Sequence, residues 1–296
     1  MNDATTIFAG VRWPRLMIGI CLTGGLALTI HVVMVQWLKV SNPDFHSPLP
    51  EVLNVVVMVY AAMWLDRCLR AQYAGRSPAL RIFVLFVLLA CLNGTVRNAF
   101  MSGYCSTMTP LRWLFGALSS VRPIAYFAVA AALTAGVGQF RQSEARLAAG
   151  VGLALLLVGI VSPGLSIMEQ AAYQPLSDLL PSIGWCRLPY GMDVMIPAYL
   201  TSVEPALASF ACIALVWRYL PERPLFRTVS FVVLILALKK QLLASLLYPF
   251  FAPGSALTAL ASMGQLSLAA AALGLLTVVF WRWAQRVPPR SRPSET

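Results

Sequence analysis

The stretch "LALKKQLLAS", residues 237–246, places two lysines and a glutamine inside an apolar run of residues 229–251. A run of this length suits one crossing of a bilayer, which takes roughly 20 apolar residues in a helix. A charged side chain near the bilayer centre costs about 2.5–3.5 kcal/mol. Lys239, Lys240 and Gln241 therefore predict a helix whose polar side lies inside a bundle and away from lipid.

The composition of the whole chain indicates an integral membrane protein. Of the 296 residues, 59% are hydrophobic and only 11% are charged, whereas soluble domains carry about 25% charged residues. The net charge of +11 would suit a nucleic-acid partner, but the basic residues recur at the ends of apolar runs. That distribution is typical of membrane topology, so we expect membrane lipids as surroundings and no nucleic-acid partner.

Eight segments are apolar enough to cross the membrane, although the second is short. The sequence predicts an all-α polytopic protein, a single transmembrane domain of residues 1–296 built as a bundle of eight helices. The predicted helices are 16–38, 51–65, 80–101, 113–138, 147–167, 194–219, 228–251 and 256–281.

The loops between these segments differ strongly in charge. With the N-terminus inside, fifteen of the 22 lysines and arginines fall on the inner side and three on the outer side. Cytoplasmic loops carry the excess of Lys and Arg. We therefore expect both termini in the cytoplasm and a multi-pass location in an inner membrane.

Two cysteines fall in the predicted outer loops. Cys105 follows the third helix and Cys186 precedes the sixth. An oxidising compartment would allow them to form a disulfide, but their separation in space is not readable from the sequence.

Short matches hint at an internal repeat of four helices. Arg81 precedes Asn93 by the same spacing as Arg227 precedes Lys239. Two such halves would form a parallel repeat, as in some transporters, although matches this short also arise by chance in apolar sequence. The two halves would be residues 1–140 and 141–296.

The chain lacks the common catalytic and metal-binding motifs. It has two histidines, His31 in the first helix and His46 in the first outer loop, too few for a histidine-rich zinc or haem centre. We expect no metal site and no cofactor, and His31 is most simply a packing residue. The first outer loop does place Asp44 and Glu51 near His46, and carboxylates there could act as a base in an outer-face transferase.

The polar residues inside the predicted helices share one zone, from the bilayer centre to the outer face. We predict that they line a cavity and bind a ligand. The set comprises Asn93, Arg97, Asn98, Arg122, Glu204, Lys239, Lys240, Gln241 and Gln265.

One ion pair is expected within this set. Arg122 and Glu204 lie at similar depth and each precedes a proline, so their charges would balance. Arg97, Lys239 and Lys240 would then leave a surplus of up to three positive charges. Such a surplus predicts an anionic ligand.

Three functions follow as hypotheses. The first is a transporter or flippase-like protein whose basic cavity opens to the outer side and takes an anionic small molecule or lipid-linked group. The second is a non-catalytic sensor or assembly subunit, in which buried charges specify a partner helix and arginine-rich inner loops contact a cytoplasmic protein. The third is a transferase acting on lipid-phosphate substrates at the outer face.

Overall fold

The computed structural model describes residues 10–40, 48–106, 111–140, 142–179, 186, 188–251 and 255–285. Of the described residues, 86% are helical and none forms a strand. The helices are α1 Trp13–Val32, α2 Pro48–Gln72, α3 Pro78–Leu92, α4 Thr95–Ser106, α5 Arg112–Val137, α6 Ser143–Leu156, α7 Ser162–Tyr173, α8 Met192–Thr201, α9 Val203–Val216, α10 Pro224–Leu238, α11 Ala244–Leu247 and α12 Ala256–Ala284.

Among the described residues, six helical segments are long and apolar enough to span a membrane, which indicates a multi-pass membrane protein. A further pair, α3 and α4, passes the same test together but bends by 46° between them. The six spans are Trp13–Trp37, Pro48–Gln72, Arg112–Val137, Ser143–Leu176, Met192–Tyr219 and Ala256–Ala284.

Two of the eight helices expected from the sequence, 80–101 and 228–251, are broken. Helix α3 ends at Asn93 (φ −86°, ψ 5°), and Gly94 follows with φ +66°. Helix α10 ends at Lys239 (φ −87°, ψ 5°), and Lys240 follows with φ +56°. The two breaks therefore begin with the same backbone geometry, although helix resumes at Thr95 after the first and only at Ala244 after the second. Positive φ suits glycine, which has no Cβ, and is uncommon for lysine.

The two ends of the described chain lie side by side. The backbone N–H of Arg12 donates to the carbonyl of Ala284 (2.8 Å), because α1 packs along α12. The Arg15 guanidinium lies over the Trp283 ring, 5.2 Å from its centroid. The start of α1 and the end of α12 thus lie on one face of the bundle.

Helix α2 extends beyond both ends of the predicted segment 51–65, and a buried carboxylate lies in its last turns. Asp66 is fully buried and pairs with Arg70 (2.7 Å) and with Arg81 of α3 (2.9 Å). Arg70 also donates to the carbonyl of Ala135 in α5 (2.8 Å). These contacts join three helices at one end of the bundle, where a carboxylate without its arginines would be costly to bury.

At the opposite end, α4 packs closely on α5 and is linked to Cys186, which precedes α8. A Cβ on Gly103 would lie only 2.7 Å from the carbonyl oxygen of Arg112, and one on Gly116 only 2.6 Å from that of Ala99. Glycines let membrane helices approach this closely. Cys105, near the end of α4, has its sulfur 2.01 Å from that of Cys186, the distance of a disulfide bond.

Candidate functional site

Two polar cavities lie beside the helix breaks. Cavity A has a volume of about 450 Å³, and cavity B of about 390 Å³. The polar lining of cavity A includes His31, Asn93, Arg97, Asn98, Lys239 and Gln241. The polar lining of cavity B includes Glu51, Asn98, Ser119, Arg122, Glu169 and Lys240. Seven of the nine predicted polar residues therefore line one or other of two neighbouring cavities, and Asn98 lines both. Glu204 and Gln265 line neither.

The residues at the two breaks bond to each other's helices. The Asn93 amide donates to the carbonyl of Leu238 at the end of α10 (3.2 Å). The Lys239 ammonium donates to the carbonyl of Leu92 at the end of α3. The last carbonyls of a helix lack partners within it, so each break supplies a donor for the other. The hydrogen bond to Leu92 holds the Lys239 side chain at cavity A.

Glu204 accepts hydrogen bonds from the start of α4. Its two carboxylate oxygens accept from the backbone N–H groups of Val96 (3.0 Å) and Arg97 (2.5 Å). The first N–H groups of a helix lack partners within the helix and carry a partial positive charge, which a carboxylate satisfies. The predicted pair of Arg122 with Glu204 is therefore wrong, because Glu204 caps α4.

Arg97 is the least satisfied cation at cavity A. It is partly buried, and its Nε atom has no hydrogen-bond partner among the described residues. The charged side chains placed at this cavity in the described parts of the chain are Arg97, Lys239 and the nearby Glu204. Their sum is one positive charge.

Lys240 faces the other way, into cavity B. Its ammonium lies 3.1 Å from the Glu51 carboxylate and 5.4 Å from the centroid of the Tyr126 ring. The Tyr248 hydroxyl donates to the second oxygen of Glu51 (3.1 Å). Lys240 therefore does not contribute to a surplus charge, in contrast to the prediction that placed both lysines in one basic set.

Arg122 also pairs within cavity B. Its guanidinium lies 3.3 Å from the carboxylate of Glu169 in α7. Glu169 follows the predicted end of the fifth helix at residue 167, whereas the structure continues this span to Leu176. Sequence reasoning left Glu169 out of the polar set because the predicted helix stopped two residues before it. Its position as a carboxylate just beyond that end was the one signal that could have pointed to it.

Gln241 and Gln265, both predicted as ligand-binding residues, have separate places. Gln241 lines cavity A, and its backbone carbonyl accepts from the Ser267 hydroxyl (3.0 Å). Gln265 is fully buried and lies next to His31, which lines cavity A. The side chain of Gln265 thus belongs to the wall behind the cavity.

The residues proposed for a transferase are only partly described. Asp44 and His46 lie outside the described residues. Glu51 lies in α2, where Lys240 and Tyr248 occupy its oxygens. Within the described ranges, no group of three His, Cys, Asp or Glu side chains is placed to hold a metal ion.

The corrected pairing changes the electrostatics of the site. Cavity B holds two cations and two carboxylates, in two ion pairs, and is balanced. Cavity A keeps a surplus of one positive charge, smaller than the three predicted. The chain matches no protein-family model, no curated protein and no solved structure, so these two cavities carry the functional argument.

Proposed function

We propose that cavity A binds an anion, and that the protein transports or flips an anionic small molecule or lipid-linked group across the membrane. The observation that carries the proposal is the surplus cation formed by Arg97 and Lys239 opposite a single carboxylate, Glu204. A positive charge in a partly water-excluded cavity attracts an anion more strongly than it would in water. Phosphate and carboxylate both match the planar donor fork of arginine.

The proposed topology has eight crossings with both termini in the cytoplasm. Helix α10 has 15 residues, about 22 Å at 1.5 Å per residue, which is shorter than the roughly 30 Å hydrocarbon core. Residues 239–251 complete that crossing, as α4 completes the crossing begun by α3. An even number of crossings agrees with the adjacent ends of α1 and α12, and the arginine-rich loops assign that face to the cytoplasm.

The two alternative functions have less support. A sensor or assembly subunit was suggested by lysines that needed a partner helix, but Lys239 and Lys240 have acceptors within the chain. A transferase using Glu51 would need a carboxylate free to accept a proton, and that of Glu51 is already hydrogen-bonded twice. Neither alternative uses the surplus charge of cavity A.

The test compares Lys239→Met with Lys39→Met in purified protein reconstituted in liposomes. Lys39 is exposed after α1, so its replacement removes the same charge outside the cavity. Radiolabelled phosphate uptake measures a free anion, and flipping of a fluorescent phosphatidylglycerol measures a lipid headgroup. We expect Lys239→Met to lower one of these activities at least tenfold per folded protein, and Lys39→Met to leave it unchanged. Equal activities in both variants and the wild type would falsify the anion site.

A further inference from the structure

The helix breaks occur at equivalent positions in the two halves of the chain. Helices α3 and α10 each have 15 residues. Each begins with a proline, carries an arginine in its first turn and ends two residues before a positive φ. The residues concerned have identical spacing in the two halves: Pro78, Arg81, Asn93 and Gly94 in the first, Pro224, Arg227, Lys239 and Lys240 in the second.

The contacts across the molecule are also equivalent. Asn93 donates to the residue before Lys239, and Lys239 donates to the residue before Asn93. A pair of reciprocal contacts of this kind is what a two-fold axis between two copies produces. The helix packing has the same symmetry, since α1 packs on α12 as α6 packs on α5, and α3 packs on α9 as α10 packs on α2.

The two cavities share equivalent lining positions on two of their walls. One wall of cavity B comes from α5 and the matching wall of cavity A from α12, with identical spacing. The α5 positions are Ser119, Arg122, Pro123 and Tyr126, and the α12 positions are Leu266, Ala269, Ala270 and Leu273. Val158 and Ser162 of cavity B likewise have the spacing of Ala27 and His31 of cavity A.

We infer that the two halves are copies of one four-helix unit related by this pseudo-two-fold axis, and that cavity B is a second ligand site, which takes a zwitterionic group. A volume of about 390 Å³ falls in the usual range of small-ligand sites, about 300–1,000 Å³. This site does not depend on anion binding at cavity A.

The charge balance of cavity B determines the class of ligand. Its ion pairs, Lys240 with Glu51 and Arg122 with Glu169, are partly exposed, with side-chain exposures between 22% and 40%. A ligand bearing an ammonium and a phosphate or carboxylate can bind one carboxylate and one cation of the cavity and leave no charge unpaired. A ligand with a single charge would leave one group of the cavity uncompensated, which a low-dielectric site penalises.

The test measures binding of phosphatidylethanolamine and of its soluble headgroup, phosphoethanolamine, to the full chain. Native mass spectrometry counts the lipid retained, and calorimetry follows the headgroup. The variants are Glu169→Gln and the double replacement Arg122→Met with Glu169→Leu, which removes the pair without stranding a charge. Arg112→Met, which removes a half-buried arginine at the start of the same helix that does not line the cavity, is the matched control.

We expect the wild type and the control to bind at least one of the two probes, and the double variant to bind it at least tenfold more weakly with an unchanged melting temperature. Loss confined to the lipid identifies a membrane lipid as the source, and loss of both probes identifies the headgroup itself. Lys239→Met should leave this binding intact, so a failure at cavity A is read separately. Two results would overturn the second site. One is a double variant that binds both probes as tightly as the wild type, and the other is a wild type that binds neither probe.

Discussion

The same replacement should destabilise the protein by different amounts at the two adjacent lysines. Lys239 bonds to a backbone carbonyl at cavity A, whereas Lys240 pairs with Glu51 at cavity B. Methionine keeps the length of the side chain and removes the ammonium. Lys240→Met therefore leaves a carboxylate without its cation, and Lys239→Met leaves a carbonyl that has lost one donor.

The expected magnitudes follow from the exposure of the partners. Exposed ion pairs contribute about 0–1 kcal/mol, and breaking a buried pair costs about 3–5 kcal/mol. The Glu51 side chain is 38% exposed, so an intermediate cost is expected for Lys240→Met, about 1–3 kcal/mol. Lys239→Met loses one charge-assisted hydrogen bond but also removes a buried ammonium, two effects that oppose each other. Its net cost should stay below about 1 kcal/mol.

The assay is unfolding by sodium dodecyl sulfate in mixed micelles, with a double-mutant cycle. Glu51→Gln combined with Lys240→Met should recover at least half of the stability lost by Lys240→Met alone, a coupling of about 1 kcal/mol or more. Methionine at position 240 meets the same positive φ as lysine, so backbone strain cancels in the comparison. Strict additivity of the two replacements, or an equal loss in Lys239→Met, would refute the division of the two lysines between cavities.

Three further predictions concern the topology, the outer loops and the inner face. A reporter fused after Glu144 should lie in the cytoplasm and one fused after Thr107 outside; a reversal of either contradicts the eight-crossing scheme. Cys105 and Cys186 should resist thiol labelling until a reductant is added, and equal labelling in both conditions would remove the bond. Asp66→Asn should lower stability by about 3–5 kcal/mol in the same micelle assay, because it strands buried arginine charge; a loss below about 1 kcal/mol would show that water already screens the pair.

Much of the fold was predictable because the bilayer constrains the sequence so strongly. Apolar runs of about 20 residues and arginine-rich loops indicated membrane helices. The cost of charge in lipid implied that polar side chains in those runs face one another. Asn93, Arg97, Lys239 and Gln241 do line one cavity. Their depth along the helices was enough to bring these four together.

The pairing of charges was not predictable in the same way, because it depends on how each helix is rotated and which helices are neighbours. Arg122 and Glu204 have similar depth, yet Arg122 faces α7 and Glu204 faces α4. The depth of a charged residue in the membrane limits which residues it can pair with. The rotation and packing of the helices then decide which pair forms. The break at Asn93 was readable, since Asn-Gly marks a turn. The break at Lys240 had no such signal, because lysine has no preference for positive φ.

The difference between Gly94 and Lys240 explains how one backbone arrangement could serve two ligands. Both residues have positive φ after a helix of the same length, and a residue with a Cβ is destabilised there by about 1–2 kcal/mol. In the first half the position is a glycine, and the facing carboxylate, Glu204, binds backbone N–H groups. In the second half the position is a lysine whose ammonium holds the facing carboxylate, Glu51, and offsets the strain. Cavity B is balanced because Lys240 pairs with Glu51 and Arg122 pairs with Glu169. Cavity A keeps the surplus charge of Arg97 and Lys239. On the proposed duplication, the two sites therefore diverged through charged side chains placed on a retained backbone, and strained residues that persist in this way tend to occur at functional sites.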